Sequence, residues 1–267
     1  MKPVFILLVF FLSLNMASAQ LKKVTDVKLK GVTHVSIDRL GNFYFVTTDG
    51  RIHKYDVNAR QLAVSPPNRT PISLLEAWNP LRVFAYYAND SAYHIFDYNL
   101  ELLEIKKLDP SLAITPALAC PGNEPTVWIL DEADLSLKKT NYHTHELILE
   151  SPIDSITHDT RFSFMREYQN YLFMAEPGAA IHILNSLGKP VTKVETRQSG
   201  YFNFLGEEIC FRRNDRLMLF DLYTAETRTV AALNNPDDIL FSIISDERVA
   251  LVRSGRIEFY QYTLPQN

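Results

Sequence analysis

The sequence predicts an all-β chain made from one short unit used six times. Six segments close on Asp, Asn or Gln: RIHKYD (to Asp56), AYHIFD (to Asp97), SLKKTN (to Asn141), AIHILN (to Asn185), RLMLFD (to Asp221) and RIEFYQ (to Gln261). Their last residues lie 41, 44, 44, 36 and 40 positions apart, a period that suits a blade of four short antiparallel strands. Helical periodicity is absent over any useful length, and turn residues punctuate the apolar runs at short intervals. Together these observations predict a six-bladed β-propeller. Two packed β-sandwiches would leave the even spacing unexplained.

The elements follow in order. Lys2, the apolar run from Val4 to Leu14 and Ala17-Ser18-Ala19 before Gln20 have the layout of a secretory signal peptide, so residues 1–19 are expected to be removed and 20–267 to form the propeller. The apolar run is shorter than the roughly 20 residues that span a bilayer, and no Cys follows the cleavage site to carry a lipid. VTDVKLK, residues 24–30, alternates as a strand does. Inner strands are expected at 34–38, 72–77, 115–120, 161–166, 201–206 and 239–244. Second strands follow from Phe43, Arg82, Thr126, Tyr171, Glu207 and Arg248. The second strands are continuous apolar or aromatic runs, as expected where both faces are covered by neighbouring blades. Asp49-Gly50, Asn89-Asp90, Asp134, Pro177-Gly178, Asn214-Asp215 and Ser254-Gly255 then turn the chain into the closing strands. Outer strands are legible at 61–65, 102–108, 146–151, 191–195 and 228–233, and the sixth unit lacks one. Residues 24–30 are expected to fill that place, pairing with RIEFYQY and covering an edge that would otherwise invite aggregation.

VSIDRLGNFYFVTTDGRIHKYD, residues 35–56, resembles the NHL-type propeller repeat, in which an inner strand, Asp-x-x-Gly-Asn, a hairpin and a Tyr/Phe-Asp ending recur. The other five units keep the strand pattern and polar ending without the Gly-Asn turn. The resemblance implies a platform that binds proteins or ligands. The recurring terminal Asp, Asn or Gln is read as turn chemistry, a side-chain oxygen accepting backbone N–H groups of the next turn.

Lys and Arg total 27 against 31 Asp and Glu, a net charge of −4, which gives no basic footprint for nucleic acid. Neither Gly-x-Ser-x-Gly, His-Glu-x-x-His, a phosphate loop nor Cys-x-x-Cys occurs, so no catalytic residue, metal site or cofactor is assigned. His143 and His145 read as a solvated hairpin tip. Asp131, Glu132 and Asp134 could hold one half of a glycosidase carboxylate pair, but read better as an acidic turn. Turns between second and third strands share one face of a propeller. On it the third and fourth units place Asp131, Glu132, Asp134 and Glu176, and the fifth and sixth place Arg212, Arg213, Arg216, Arg253 and Arg256. Two readings stand: a polarised face that docks a protein, or a network of surface ion pairs.

The leading expectation is therefore an exported protein, periplasmic or secreted and monomeric by itself. It would be a non-catalytic interaction or scaffold module for an envelope protein, in its narrowest form an accessory or plug subunit of a type IX-like outer-membrane secretion translocon. A glycan-processing or lactone-type hydrolase and a small-ligand propeller using the axial funnel are the alternatives. Asp90-Ser91-Ala92 and Asp154-Ser155-Ile156 resemble bacterial O-glycosylation acceptors, and Asn68-Arg69-Thr70 and Asn89-Asp90-Ser91 match the N-glycosylation acceptor. The two cysteines, Cys120 and Cys210, could bridge in an exported chain, but they fall in units three and five, which are not neighbours, and read better as buried free thiols. Thiol titration of the denatured, unreduced protein is expected to find two reactive groups per chain; finding none would mean a bridge and a different arrangement of units.

Overall fold

The computed structural model describes residues 21–153, 156, 161–197 and 200–262; the expected signal peptide and Asp154-Ser155 lie outside them. Among the described residues, twenty-four strands form six four-stranded antiparallel sheets. The blades are β2–β5 (Val32–Val64), β6–β9 (Leu74–Lys107), β10–β13 (Pro116–Pro152), β14–β17 (Phe164–Glu195), β18–β21 (Asn203–Ala232) and β22–β24 (Ile239–Gln261) completed by β1 (Lys22–Lys28). Apart from short 3-10 turns, no helix occurs among the described residues. The all-β six-bladed propeller is thus the fold.

Each blade follows the same logic. Second strands are buried on both faces: every residue of β3 (Phe43–Thr47), β7 (Val83–Tyr87) and β11 (Thr126–Asp131) is inside. Outer strands such as β9 (Leu102–Lys107) keep one face in water. The core therefore lies between blades, filled by aromatic rings. Phe43 meets Phe259 edge-on at 5.5 Å across the first and sixth blades, and Tyr168 stacks on Phe204 at 4.1 Å across the fourth and fifth.

Polar struts tie the inner layer together, because inner strands meet neighbours without forming a ladder and their buried groups still need partners. The Ala77 N–H donates to Ser36 Oγ at 3.0 Å between the first and second blades, and the Tyr86 hydroxyl donates to the Pro116 carbonyl between the second and third. Glu167 receives Trp128 Nε1 and Lys139 Nζ from the third blade. Ser163 Oγ donates to the Gly200 carbonyl at 2.6 Å between the fourth and fifth. The Asn203 amide bonds both the carbonyl and the N–H of Ile244, at 2.7 and 3.2 Å, between the fifth and sixth.

The terminal Asp and Asn residues do the turn chemistry expected of them. Asp56 Oδ1 accepts the N–H groups of Asn58 and Arg60, and Asp97 Oδ1 those of Asn99 and Glu101. Asn141, Asn185 and Asp221 repeat the pattern. A residue with positive φ completes each of these five hairpins: Ala59, Leu100, His145, Gly188 and Ala225. The Asp-x-x-Gly-Asn string of the first unit forms a buried knot. Asp38 there accepts the N–H groups of Leu40 and Asn42, the Asn42 amide and the Tyr44 hydroxyl, each at 2.9 Å, and Gly41 supplies the turn at φ 82°.

Several boundaries differ from expectation, the fourth inner strand among them, which runs Phe164–Tyr168 rather than 161–166. The inner strands of the second and fifth blades shrink to Leu74–Glu76 and Asn203–Leu205, because Gly206 (φ 55°) turns the latter directly into β19 and the flanking residues face neighbouring blades rather than a ladder. The closing strand lies two residues earlier than 24–30, running as Lys22–Lys28 and pairing from Lys22↔Gln261 to Lys28↔Arg256. Both cysteines are buried and free.

Removing the strand that precedes Gly31 strips β24 of its partner and exposes the edge. A chain beginning at Gly31 is expected to aggregate or to melt far lower. A monomer with an unchanged Tm would refute closure by β1.

Candidate functional site

Turns between second and third strands do emerge together, because all six sheets run in the same sense around the ring. Within that face the predicted residues divide. Asp131, the last residue of β11, is fully buried. Its carboxylate folds back to accept the N–H groups of Ile114, Thr115 and Ala133 at 2.8 to 3.1 Å and Lys138 Nζ at 2.8 Å. Arg253 is buried as well. Its Nε donates to Glu258 at 2.8 Å, and its two Nη atoms donate to the carbonyls of Asn235 and Asn234 at 2.9 and 2.8 Å. These two residues build the blades, and their charges are not offered to a partner. Arg212, half-buried, donates to the Pro236 carbonyl at 2.6 Å.

The remainder reach water. Glu132 and Asp134 are exposed, Asp134 pairing with Lys138, and Glu176 bonds His182 Nε2 at 2.6 Å. Arg216 and Arg256 keep 59% and 47% of their side chains exposed. Arg213 lies on the Phe211 ring, 5.3 Å from its centroid, with Nε and Nη2 donating to the Glu195 carbonyl at 2.9 and 2.6 Å. Asp134, Arg216 and Arg256 thus pair within their own units, while Arg213 crosses from the fifth blade to a carbonyl of the fourth.

A second site lies on the opposite face, where turns between inner and second strands emerge. Between the second and third blades a cleft of about 240 Å³ runs inward to the inner strands. Phe84, Tyr93, Ile95, Val127 and Tyr142 make its apolar walls. An outer extension of about 310 Å³ shares Tyr93, Lys106, Val127 and Tyr142 and ends near His143 and His145. At the inner end Glu76 of β6 meets Arg166 of β14, inner strands two blades apart, with Arg166 Nε donating to Glu76 Oε2 and the Trp78 N–H to Glu76 Oε1 at 2.8 Å. Arg82 bridges Glu104 and Glu124, and Lys106 lies 4.4 Å from the centre of the Tyr142 ring. Among the described residues no three His, Cys, Asp or Glu side chains come together as a metal site would require. Sequence reasoning missed this cleft. Its signal was a charge at the inner end of each of two largely apolar stretches, Glu76 in ISLLEA and Arg166 in RFSFMR, which also begins on Arg161.

Two buried carboxylates set the acid stability. Burial pushes Asp131 up, but Lys138 and the three backbone N–H groups outweigh it and hold the carboxyl at about 2. Burial likewise opposes Glu258, and Arg253, Arg256 and Tyr260 bring it down to about 2. A carboxyl depressed on folding stabilises the fold above its unfolded value and loses that contribution as pH falls toward the folded one, roughly 2 to 3 kcal/mol for each group here. The Tm is expected to fall steeply between about pH 5 and 2, and Glu258→Gln, though less stable at pH 7, should flatten the slope. An unchanged slope would show that this carboxylate does not drive the acid transition.

No family model matches the chain, and no curated protein matches it in sequence. Solved structures resemble it in shape. The β-propeller domain of Cps50 (Swd1) from Myceliophteria thermophila gives a TM-score of 0.61 at 11% identity, covering 91% of this chain and 100% of that one. The extracellular domain of the one-component system BT4673 from B. thetaiotaomicron gives 0.56 at 13%, covering 88% of this chain; the match spans only 33% of that longer chain. BamB from Moraxella catarrhalis gives 0.49 at 11%, covering 91% and 100%. At such identities the likeness speaks to the fold alone. Six closed four-stranded blades give the chain the fold of a six-bladed β-propeller, and the Cps50 domain shares its propeller shape.

Proposed function

We propose that the chain is an exported, non-catalytic propeller that docks a protein of the cell envelope through the face carrying the second-to-third-strand turns. One observation carries this reading. Arg213 is fixed at the surface by two hydrogen bonds to a backbone carbonyl and by the Phe211 ring, opposite the exposed Arg216 in the β19–β20 hairpin, with Arg256 exposed on the next blade. A guanidinium already held in place loses little freedom on meeting an acidic partner, so the ordering cost that weakens most surface contacts is small here. Glu132 and Asp134 on the third blade set the orientation by repelling an acidic surface. Export follows from the leader-like residues 1–19. In its narrowest form the proposal makes the chain an accessory or plug subunit of a type IX-like secretion translocon.

Arg213→Glu with Arg216→Glu tests the reading, while Arg212 and Arg253 stay unchanged because they hold the fold. The double variant should still fold, Arg216→Glu costing about 0.5 kcal/mol and Arg213→Glu about 1 to 2 kcal/mol for the two carbonyl hydrogen bonds it gives up. It should lose the envelope protein that co-purifies with the wild-type chain, and wild-type capture should weaken as salt rises. Unchanged capture by the double variant would overturn the docking face.

A further inference from the structure

The cleft between the second and third blades goes beyond the docking face and stands independently of it. Its buried groups differ in one respect from every other buried charge described above: some of their hydrogen-bonding capacity is unspent. Arg253 uses Nε and both Nη atoms. Arg166, only 2% exposed, uses Nε alone. Its Nη1 and Nη2 are buried and meet no acceptor among the described residues. The Tyr93 hydroxyl, farther out in the same cleft, is also buried and unpartnered. A buried donor left without an acceptor keeps its desolvation cost uncompensated, the more so when it is charged, so such groups point to a ligand that completes them.

The chemistry of that ligand follows from what is left over. The carboxylates at the cleft are already engaged: Glu76 by Arg166 and the Trp78 N–H, Glu167 by Trp128 and Lys139, Glu124 by Arg82. The unspent groups are the paired N–H arms of a guanidinium and a phenol. Burial raises the Tyr93 phenol well above its ordinary value, which keeps it a donor. Burial opposes the Arg166 charge, but Glu76 beside it more than compensates. Two parallel N–H groups match a planar carboxylate in bidentate fashion, and the walls between the two donors are the rings and branched chains of Phe84, Ile95 and Val127.

We propose that this cleft binds a small carboxylic acid with an apolar body. Its carboxylate pairs with Arg166 Nη1 and Nη2, and its body lies along Phe84 and Val127 toward the Tyr93 hydroxyl. Trp78, half-buried at the rim with its ring centroid 5.7 Å from the guanidinium carbon, is the side chain that moves to admit the acid. Cys120 and Glu76, also near Arg166, remain as they are, the pair Glu76–Arg166 keeping its Nε bond.

The two tryptophans of the chain both flank this site, Trp78 in the cleft wall and Trp128 bonded to Glu167 beside it, so intrinsic emission reports on it directly. The full chain is titrated with benzoate, 4-methylvalerate and N-acetylphenylalanine, with the matching neutral amides as controls. At least one acid is expected to shift the emission saturably in the low-millimolar range or tighter, while its amide does so at least tenfold more weakly. N-acetylphenylalanine binding more tightly than the two simple acids would identify the source as a peptide C-terminus; the reverse order would identify a free small acid. Tyr93→Phe removes only the unpartnered hydroxyl, so it should leave the Tm unchanged or raised and weaken the bound acid severalfold or more. Glu76→Gln with Arg166→Met removes the ion pair as a unit, which the fold tolerates better than loss of one partner, and should abolish the shift. The proposal is overturned if no acid moves the emission, if acids and amides act alike, or if the folded double variant binds as the wild type does. Retained acid binding in Arg213→Glu/Arg216→Glu would separate this site from the docking face.

Discussion

Closure of the ring by a strand from the other end of the chain is the constraint on which everything else depends. β1 pairs with β24 across more than two hundred residues of sequence, and Lys23 reaches Glu258 at 3.4 Å from that added strand. The edge-on contact of Phe43 and Phe259 depends on this pairing, which seats the sixth blade against the first. The strand pairing is among the most non-local contacts the chain can make, so its loop-closure entropy is among the largest in the fold. Both sites described above inherit their geometry from it. The arginine sector belongs to the fifth and sixth blades, and the cleft depends on an ion pair between inner strands two blades apart, which a ring open at one seam would not hold in register.

Much of this was legible in the sequence because the repeat is written in properties that strands impose locally. Continuous apolar runs gave the buried second strands, and the polar residue at each closing position announced an Asx turn, as Asp56, Asp97, Asn141, Asn185 and Asp221 show. Other features resisted because they are settled at a distance. Asp131 reads as the first residue of an acidic turn, yet its carboxylate is recruited by N–H groups of Ile114 and Thr115, which approach from the preceding connection. Arg253 reads as a turn cation, yet the carbonyls of Asn234 and Asn235 draw it inward. The Glu76–Arg166 pair spans 90 positions, and no local pattern ties its halves together.

The two faces divide the work by their chemistry. On one, Arg216 and Arg256 lie at the surface in water, where ionic strength weakens any charge contact they make. On the other, charge is taken out of water altogether, and Arg166 sits between the rings of Trp78 and Phe164. A cation so enclosed gains from a bound anion far more per contact than one at the rim, because the medium around it screens less. The inner strands connect the faces physically. Tyr168, which follows Arg166 and Glu167 in β14, meets Trp78 edge-on at 5.7 Å and stacks on Phe204 of the fifth blade.

The hairpins that end the third strands explain how so regular a shape survives with so little verbal repetition. The acceptor they need is one side-chain oxygen, which Asp and Asn supply equally. The left-handed position that follows is filled by Gly188 once and otherwise by Ala59, Leu100, His145 and Ala225. Leu100 bears its backbone strain while buried in the core of the first two blades, so packing there offsets what glycine would have avoided. A turn defined by one oxygen and one tolerated dihedral demands a geometry and leaves the lettering free. Units of a single chain can then drift apart as far as unrelated propellers do, sharing an outline while any common vocabulary wears away.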